Sequence, residues 1–75
     1  MDWQDHIVTD PKIAGGKPVV AGTRVPVQVI LGSLAGGDSI EAVCEGYGVS
    51  RDDVLAALAY AAEALAHANV YLVPG

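Results

Sequence analysis

"SIEAVCEGYGVSRDDVLAALAYA", Ser39 to Ala61, decides the fold. Ile40, Val43, Cys44 and Tyr47 recur at i, i+3, i+4 and i+7, the spacing of one buried helix face. Asp38 or Ser39 caps that helix, Glu41 lies in its first turn, and Gly46-Tyr47-Gly48 breaks it. Ser50 and Asp53 then form a Ser-x-x-Asp capping box, which opens a long Ala/Leu helix from Arg51 to about His67. Its buried stripe should include Val54, Leu58, Ala61 or Ala62, and Leu65. The joining piece, "EGYGVS", has the length a helix-turn-helix needs. Ala42 and Cys44 are small enough for close approach, Gly48 allows a sharp turn, and Val43, Val49, Val54 and Leu58 lock the pair.

Upstream, Pro26 opens a further helix at its first position. Val27, Ile30, Leu31, Leu34 and Ala35 form its apolar stripe, and Gly36-Gly37 stops it. Before that, His6 to Thr9 reads as a short strand running into the Asp10-Pro11 turn, and Val19-Val20 as a second extended piece between Gly16 and Gly22. The expected fold is therefore mainly α: three helices, the last two as a helix-turn-helix, preceded by a short β arm or hairpin. Residues 1–75 are expected to form a single domain, with the arm over 1–24, the tri-helical core over 25–68 and a tail, "NVYLVPG", over 69–75.

A chain of 75 residues buries only about 60% of the surface its unfolded form exposes. Its single cysteine, Cys44, cannot form an internal disulfide, and His6 and His67 do not complete a zinc-ligand spacing with it. Neither usual staple for a small domain is present, while 52% of the residues are hydrophobic. A homodimer is expected to supply the missing burial. No stretch reads as a signal peptide, and the longest uncharged run, Val25 to Gly37, is too short and glycine-rich to span a bilayer. A cytoplasmic protein without a membrane partner is expected.

The net charge of −5 disfavours broad binding to nucleic acid. The charge is also uneven. Up to Arg24, Asp2, Asp5 and Asp10 are balanced by Lys12, Lys17 and Arg24, whereas from Val25 onward only Arg51 offsets six acidic residues that include Asp52 and Asp53. Two cations therefore stand out in "GGKPVVAGTRVPV", Gly15 to Val27. In one reading Lys17 and Arg24 are projected by a rigid arm toward an acidic partner, where a guanidinium makes paired hydrogen bonds to carboxylate or phosphate. In the other, the stretch is scaffold: Gly15, Gly16 and Gly22 allow unusual backbone angles, Pro18 and Pro26 fix them, and Thr23 and Arg24 hydrogen-bond the arm to the first helix.

The remaining motifs are weaker. If the last helix reads DNA, its N-terminal side chains Ser50, Arg51, Asp52 and Leu55 face the groove, but one arginine beside two aspartates is a poor groove probe. "AGGKP" lacks the leading glycine and the Ser/Thr of a phosphate-binding loop. No nucleophile elbow or paired-carboxylate cleft is present, so no enzyme activity and no cofactor or metal site is expected.

"DPKIAGGKPVVAGTRVPVQVIL" followed by "SIEAVCEGYGVSRDDVLAALAYA" resembles the domain of unknown function family 433, over His6 to about Ala64. Gly16, Lys17, Pro18, Gly22, Thr23, Arg24 and Pro26 match its first block, and Tyr47, Val49, Ser50, Val54, Ala57, Leu58 and Tyr60 its second. The resemblance implies a homeodomain-like tri-helical protein acting as a VapB-type antitoxin beside a toxin with a PIN-like ribonuclease domain. It implies an antitoxin-like regulator that neutralises such a toxin and autorepresses its own synthesis, with a dimeric helix-turn-helix DNA-binding transcriptional regulator as the alternative. It implies no catalytic residue.

Overall fold

The computed structural model of this chain describes residues 1–67. Three helices, α1 (Val27–Ala35), α2 (Ile40–Tyr47) and α3 (Arg51–Ala66), follow a two-stranded antiparallel hairpin of β1 (Ile7–Val8) and β2 (Val19–Val20). Ile7 faces Val20 and Val8 faces Val19 across the ladder. Short 3₁₀ turns precede each strand, at Trp3–Asp5 and Ala14–Gly16. The tail expected over 69–75 lies outside the described residues.

The hairpin does not project as an arm. Ile7, Val19 and Val20 are buried, and Ile7 and Val20 share one apolar core with Val27 and Ile30 of α1, Val43 of α2, Val49, and Val54, Ala56 and Ala57 of α3. Two strands are too few to stand alone in water, so they hold their shape only by packing on the helices. Burial of each such Val or Ile side chain contributes about 1.5–3 kcal/mol. No buried side chain among the described residues is polar or charged.

Local chemistry sets the element ends. Pro26 is the residue before α1 rather than its first turn, with φ −68° and ψ 142°; the fixed proline φ suits either position, and the extended ψ selects this one. At the other end the Gly37 N–H donates to the Leu34 carbonyl and the Asp38 N–H to the Ser33 carbonyl, with Gly37 at φ 102°. Ser39, rather than Asp38, caps α2, accepting from the Ala42 N–H at 3.0 Å. Gly48 ends α2 in the left-handed conformation, φ 68°, and α3 starts three residues later. The capping box forms as read: Ser50 Oγ accepts from the Asp53 N–H and Asp53 Oδ2 from the Ser50 N–H, both at 3.0 Å.

Three expected inward positions, Leu58, Leu65 and Tyr47, are corrected. Leu58 and Leu65 are 41% and 63% exposed; α3 packs through Val54, as expected, and through Ala56, Ala57 and the half-buried Tyr60 in place of the leucines. Small side chains let helix backbones approach, and alanines rather than leucines occupy the contact. Tyr47 is likewise on the surface, with its hydroxyl 3.0 Å from Ser33 Oγ, a link between α2 and α1.

Candidate partner-binding site

The segment from Ala14 to Val27 satisfies its own backbone. Ala14, Gly15 and Gly16 are all left-handed, with φ of 51°, 67° and 84°; the Gly16 N–H donates to the Ile13 carbonyl and the Lys17 N–H to the Ala14 carbonyl. Ala14 bears a steric cost there that the two glycines escape. Beyond Pro18 the chain doubles back on itself: the Val27 N–H donates to the Pro18 carbonyl at 3.0 Å and the Val20 N–H to the Val25 carbonyl at 2.9 Å. Gly22, at φ 77°, makes the reversal, and the Thr23 N–H returns to the Val20 carbonyl at 3.0 Å. Thr23 Oγ1 donates to the same carbonyl at 2.8 Å and accepts from the Val25 N–H at 3.0 Å.

Thr23 thus closes the turn on Val20 and Val25, both ahead of α1, rather than tying the arm to the first helix, and Arg24 does neither. Lys17 and Arg24 are both exposed, and neither makes a hydrogen bond or ion pair with the described residues through its side chain. They stand at opposite ends of the ladder that joins Pro18–Val20 to Val25–Val27, so about four extended residues, roughly 13 Å, separate them along the strand. The arrangement offers two separate cationic points rather than one clamp.

The residues considered for DNA are differently occupied. Ser50 is committed to the cap, and Leu55 is half-buried. The Arg51 guanidinium lies 3.1 Å from Glu41 Oε1, a surface ion pair bridging α2 and α3. At 61% and 77% side-chain exposure such a pair stabilises little, but it does shield the one cation of that surface.

Two contacts have no precedent in the sequence reading, because they join residues 47 and 60 positions apart. His6 Nδ1 lies 3.0 Å from Asp53 Oδ1, fastening the start of β1 to the N-terminus of α3. Partial burial raises the Asp53 pKa, but the Ser50 N–H, the His6 ring and the Ser50 hydroxyl outweigh it, and the net shift is downward from the ordinary 3.8. Trp3 donates its indole N–H to Glu63 and sets its ring edge-on to Tyr60, with centroids 4.8 Å apart. Both anchor the N-terminal segment on α3. No cluster of three or more metal-ligating side chains occurs among the described residues.

Between α1 and α3 runs an open apolar groove of about 320 Å³, walled by Val27 and Leu31 on one side and Tyr60, Ala61, Ala64 and Leu65 on the other, with Pro18 at its edge. None of the described helices is long and apolar enough to cross a membrane.

Comparison with known proteins places this geometry. The sequence model of a family described as "Protein of unknown function (DUF433)" matches residues 7–61. A Sinorhizobium fredii protein, "Uncharacterized protein y4eO", is 43% identical over 44 residues, covering 59% of this chain and 20% of its own. "Putative antitoxin VapB45" of Mycobacterium tuberculosis is 40% identical over 53 residues, covering 71% of this chain and 22% of its own. The chain thus spans about a fifth of the length of the curated relatives it matches. Among solved structures, Rv2018 from Mycobacterium tuberculosis superposes with a TM-score of 0.68 at 38% identity, over 75% of this chain and 27% of that one. A DUF433 member from Anabaena variabilis gives a TM-score of 0.75 at 26% identity, over 80% of this chain and 60% of that one.

Proposed function

This chain belongs to the DUF433 family, and from that footing we propose that it is an antitoxin-like interaction protein that binds and neutralises a PIN-like ribonuclease toxin. The observation that carries the reading is the pair of cations on the Gly15–Val27 segment. The fold holds the backbone beside Lys17 and Arg24 by bonds that do not involve their side chains, and leaves both exposed in a chain of net charge −5. A ribonuclease site that gathers carboxylates around a metal presents the complementary charge, and arginine and lysine answer it differently, by a planar fork and a point charge. The antitoxin name carried by the Mycobacterium tuberculosis relative supports the same reading. In it the chain contributes no catalytic step, needs no cofactor and works in the cytoplasm.

The test is to express the chain with the protein encoded by the adjacent reading frame. A complex that co-purifies and suppresses ribonuclease activity is expected; an adjacent product that neither binds nor is inhibited sinks the proposal.

A second reading, a dimeric helix-turn-helix regulator, is favoured by the left-handed Gly48 between two capped helices. It would read DNA through Ser50, Arg51 and Leu55, and it is compatible with autorepression by a toxin-bound complex. The commitments of Ser50 to the cap and of Arg51 to Glu41 count against it as an independent activity.

A further inference from the structure

The sequence of α3 from Leu58 to Leu65 reads LAYAAEAL, and its small and large apolar positions mirror one another about the Ala61–Ala62 bond. Leu58 mirrors Leu65, Ala59 mirrors Ala64, and Ala61 mirrors Ala62, while Tyr60 and Glu63, the one unmatched pair, lie off the leucine face against Trp3. Leu58, Ala61, Ala62 and Leu65 also fall at i, i+3, i+4 and i+7, so they share one face of the helix. Both leucines on that face are exposed, at 41% and 63%.

We propose that this face pairs with a second copy of the chain, the two α3 helices running antiparallel about a twofold axis at Ala61–Ala62. An isologous contact requires a self-complementary patch, in which residue i meets j and j meets i. The mirrored spacing supplies it: Leu58 sets against Leu65 of the partner subunit, and Leu65 against Leu58 of the partner subunit. At the crossing point only alanines intervene, so the helix axes can approach to the close end of the usual range of about 8–10 Å.

Charge permits the pairing despite the acidity of each copy. The sole charged residue between Leu58 and Leu65 is Glu63, and it is turned away to accept the Trp3 indole N–H. The groove adds depth to the patch. Ala61 and Leu65 belong both to this face and to the groove wall, so Leu58 of the partner subunit arrives at the groove mouth beside Leu65, where an aliphatic side chain finds Leu31 across from it. This inference goes beyond the antitoxin reading and does not depend on it.

The test is sedimentation equilibrium on the full chain from low micromolar to millimolar concentration. The wild type should dimerise, and Leu58→Lys or Leu65→Glu should each weaken association on the order of a hundredfold while helicity by circular dichroism is kept, since both positions are exposed. Mixing the two variants should then restore a heterodimer tighter than either homodimer. Antiparallel pairing sets the lysine introduced in one chain against the glutamate introduced in the other, and it leaves an unaltered leucine pair at the opposite end. A wild-type chain that stays monomeric, a dimer indifferent to both substitutions, or a mixture with no gain would each overturn it.

Discussion

Arg24 sits beside a turn that is complete without it. Thr23 makes the hydrogen bonds that close the loop, so truncating Arg24 leaves no buried acceptor unpaired, and the same holds for Lys17. Arg24→Ala and Lys17→Ala should therefore shift stability by less than about 0.5 kcal/mol, the range of ordinary surface substitutions. Under the proposed function the same changes weaken partner binding, and melting and affinity measured on the same proteins separate the two roles. A large loss of stability in either variant would return the cation to a scaffold role. Asp53 behaves oppositely, because its charge is used within the fold. Its pKa is lowered, so the stability it adds is fully present above about pH 4, the unfolded value, and is lost as pH falls through the lower native value. Asp53→Asn should cost about 0.5–1 kcal/mol at pH 7 and approach the wild type as the pH falls through the lowered native value, as read by urea unfolding at pH 7 and along an acid series. A gap that stays the same size throughout the acid series would mean that shape, not charge, decides the effect at this position.

The two glycines that end α2 make opposite demands, although two positions apart. Gly46 lies within the helix with space for a Cβ, so Gly46→Ala should stabilise by about 0.5–1 kcal/mol through reduced chain entropy. Gly48 has the same free space but φ 68°, so Gly48→Ala should destabilise by about 1–2 kcal/mol from backbone strain alone. Thermal melts of the two variants moving in the same direction would mean that the turn can relax. Such features were legible from the sequence because they are local: the helix stripes, the Ser50–Asp53 box, the Gly36-Gly37 stop and the strand at Val19-Val20 all depend on neighbours within a few positions. What periodicity misplaced was the inward side of α3. A hydrophobic stripe marks where apolar residues align, and for Leu58 and Leu65 that line is not the line of contact with α1 and α2. The His6–Asp53 and Trp3–Glu63 contacts left no local trace, since each is created only when the hairpin docks. Lys17 and Arg24 were identifiable as unusual by charge, but their freedom from the scaffold became visible only once Thr23 was seen to hold the turn.

The molecule as a whole joins a charge-balanced hairpin segment to an acidic helical body, and that division governs what it can approach. Of its four basic side chains, Arg51 is paired with Glu41, and the others lie on the hairpin segment, where Lys17 and Arg24 are roughly 13 Å apart. Affinity for duplex DNA grows with the number of phosphates neutralised together, each adding about 0.9 to the slope of log K against log salt. A hairpin segment with three cations at most, on a chain of net charge −5, meets repulsion elsewhere along the duplex. The isolated chain should therefore bind random duplex DNA with little affinity at physiological salt, and lowering the salt should recover binding with a slope no steeper than about −3, the limit set by the three cations of the hairpin segment. Dimerisation through α3 doubles the cations and the acidic residues together, so it does not change the sign of this expectation. Fluorescence anisotropy against random duplexes across a salt series measures the slope directly. Tight binding with a steep slope would show that the cations converge on one face in the assembled protein, and would move the DNA-reading alternative ahead of the antitoxin reading.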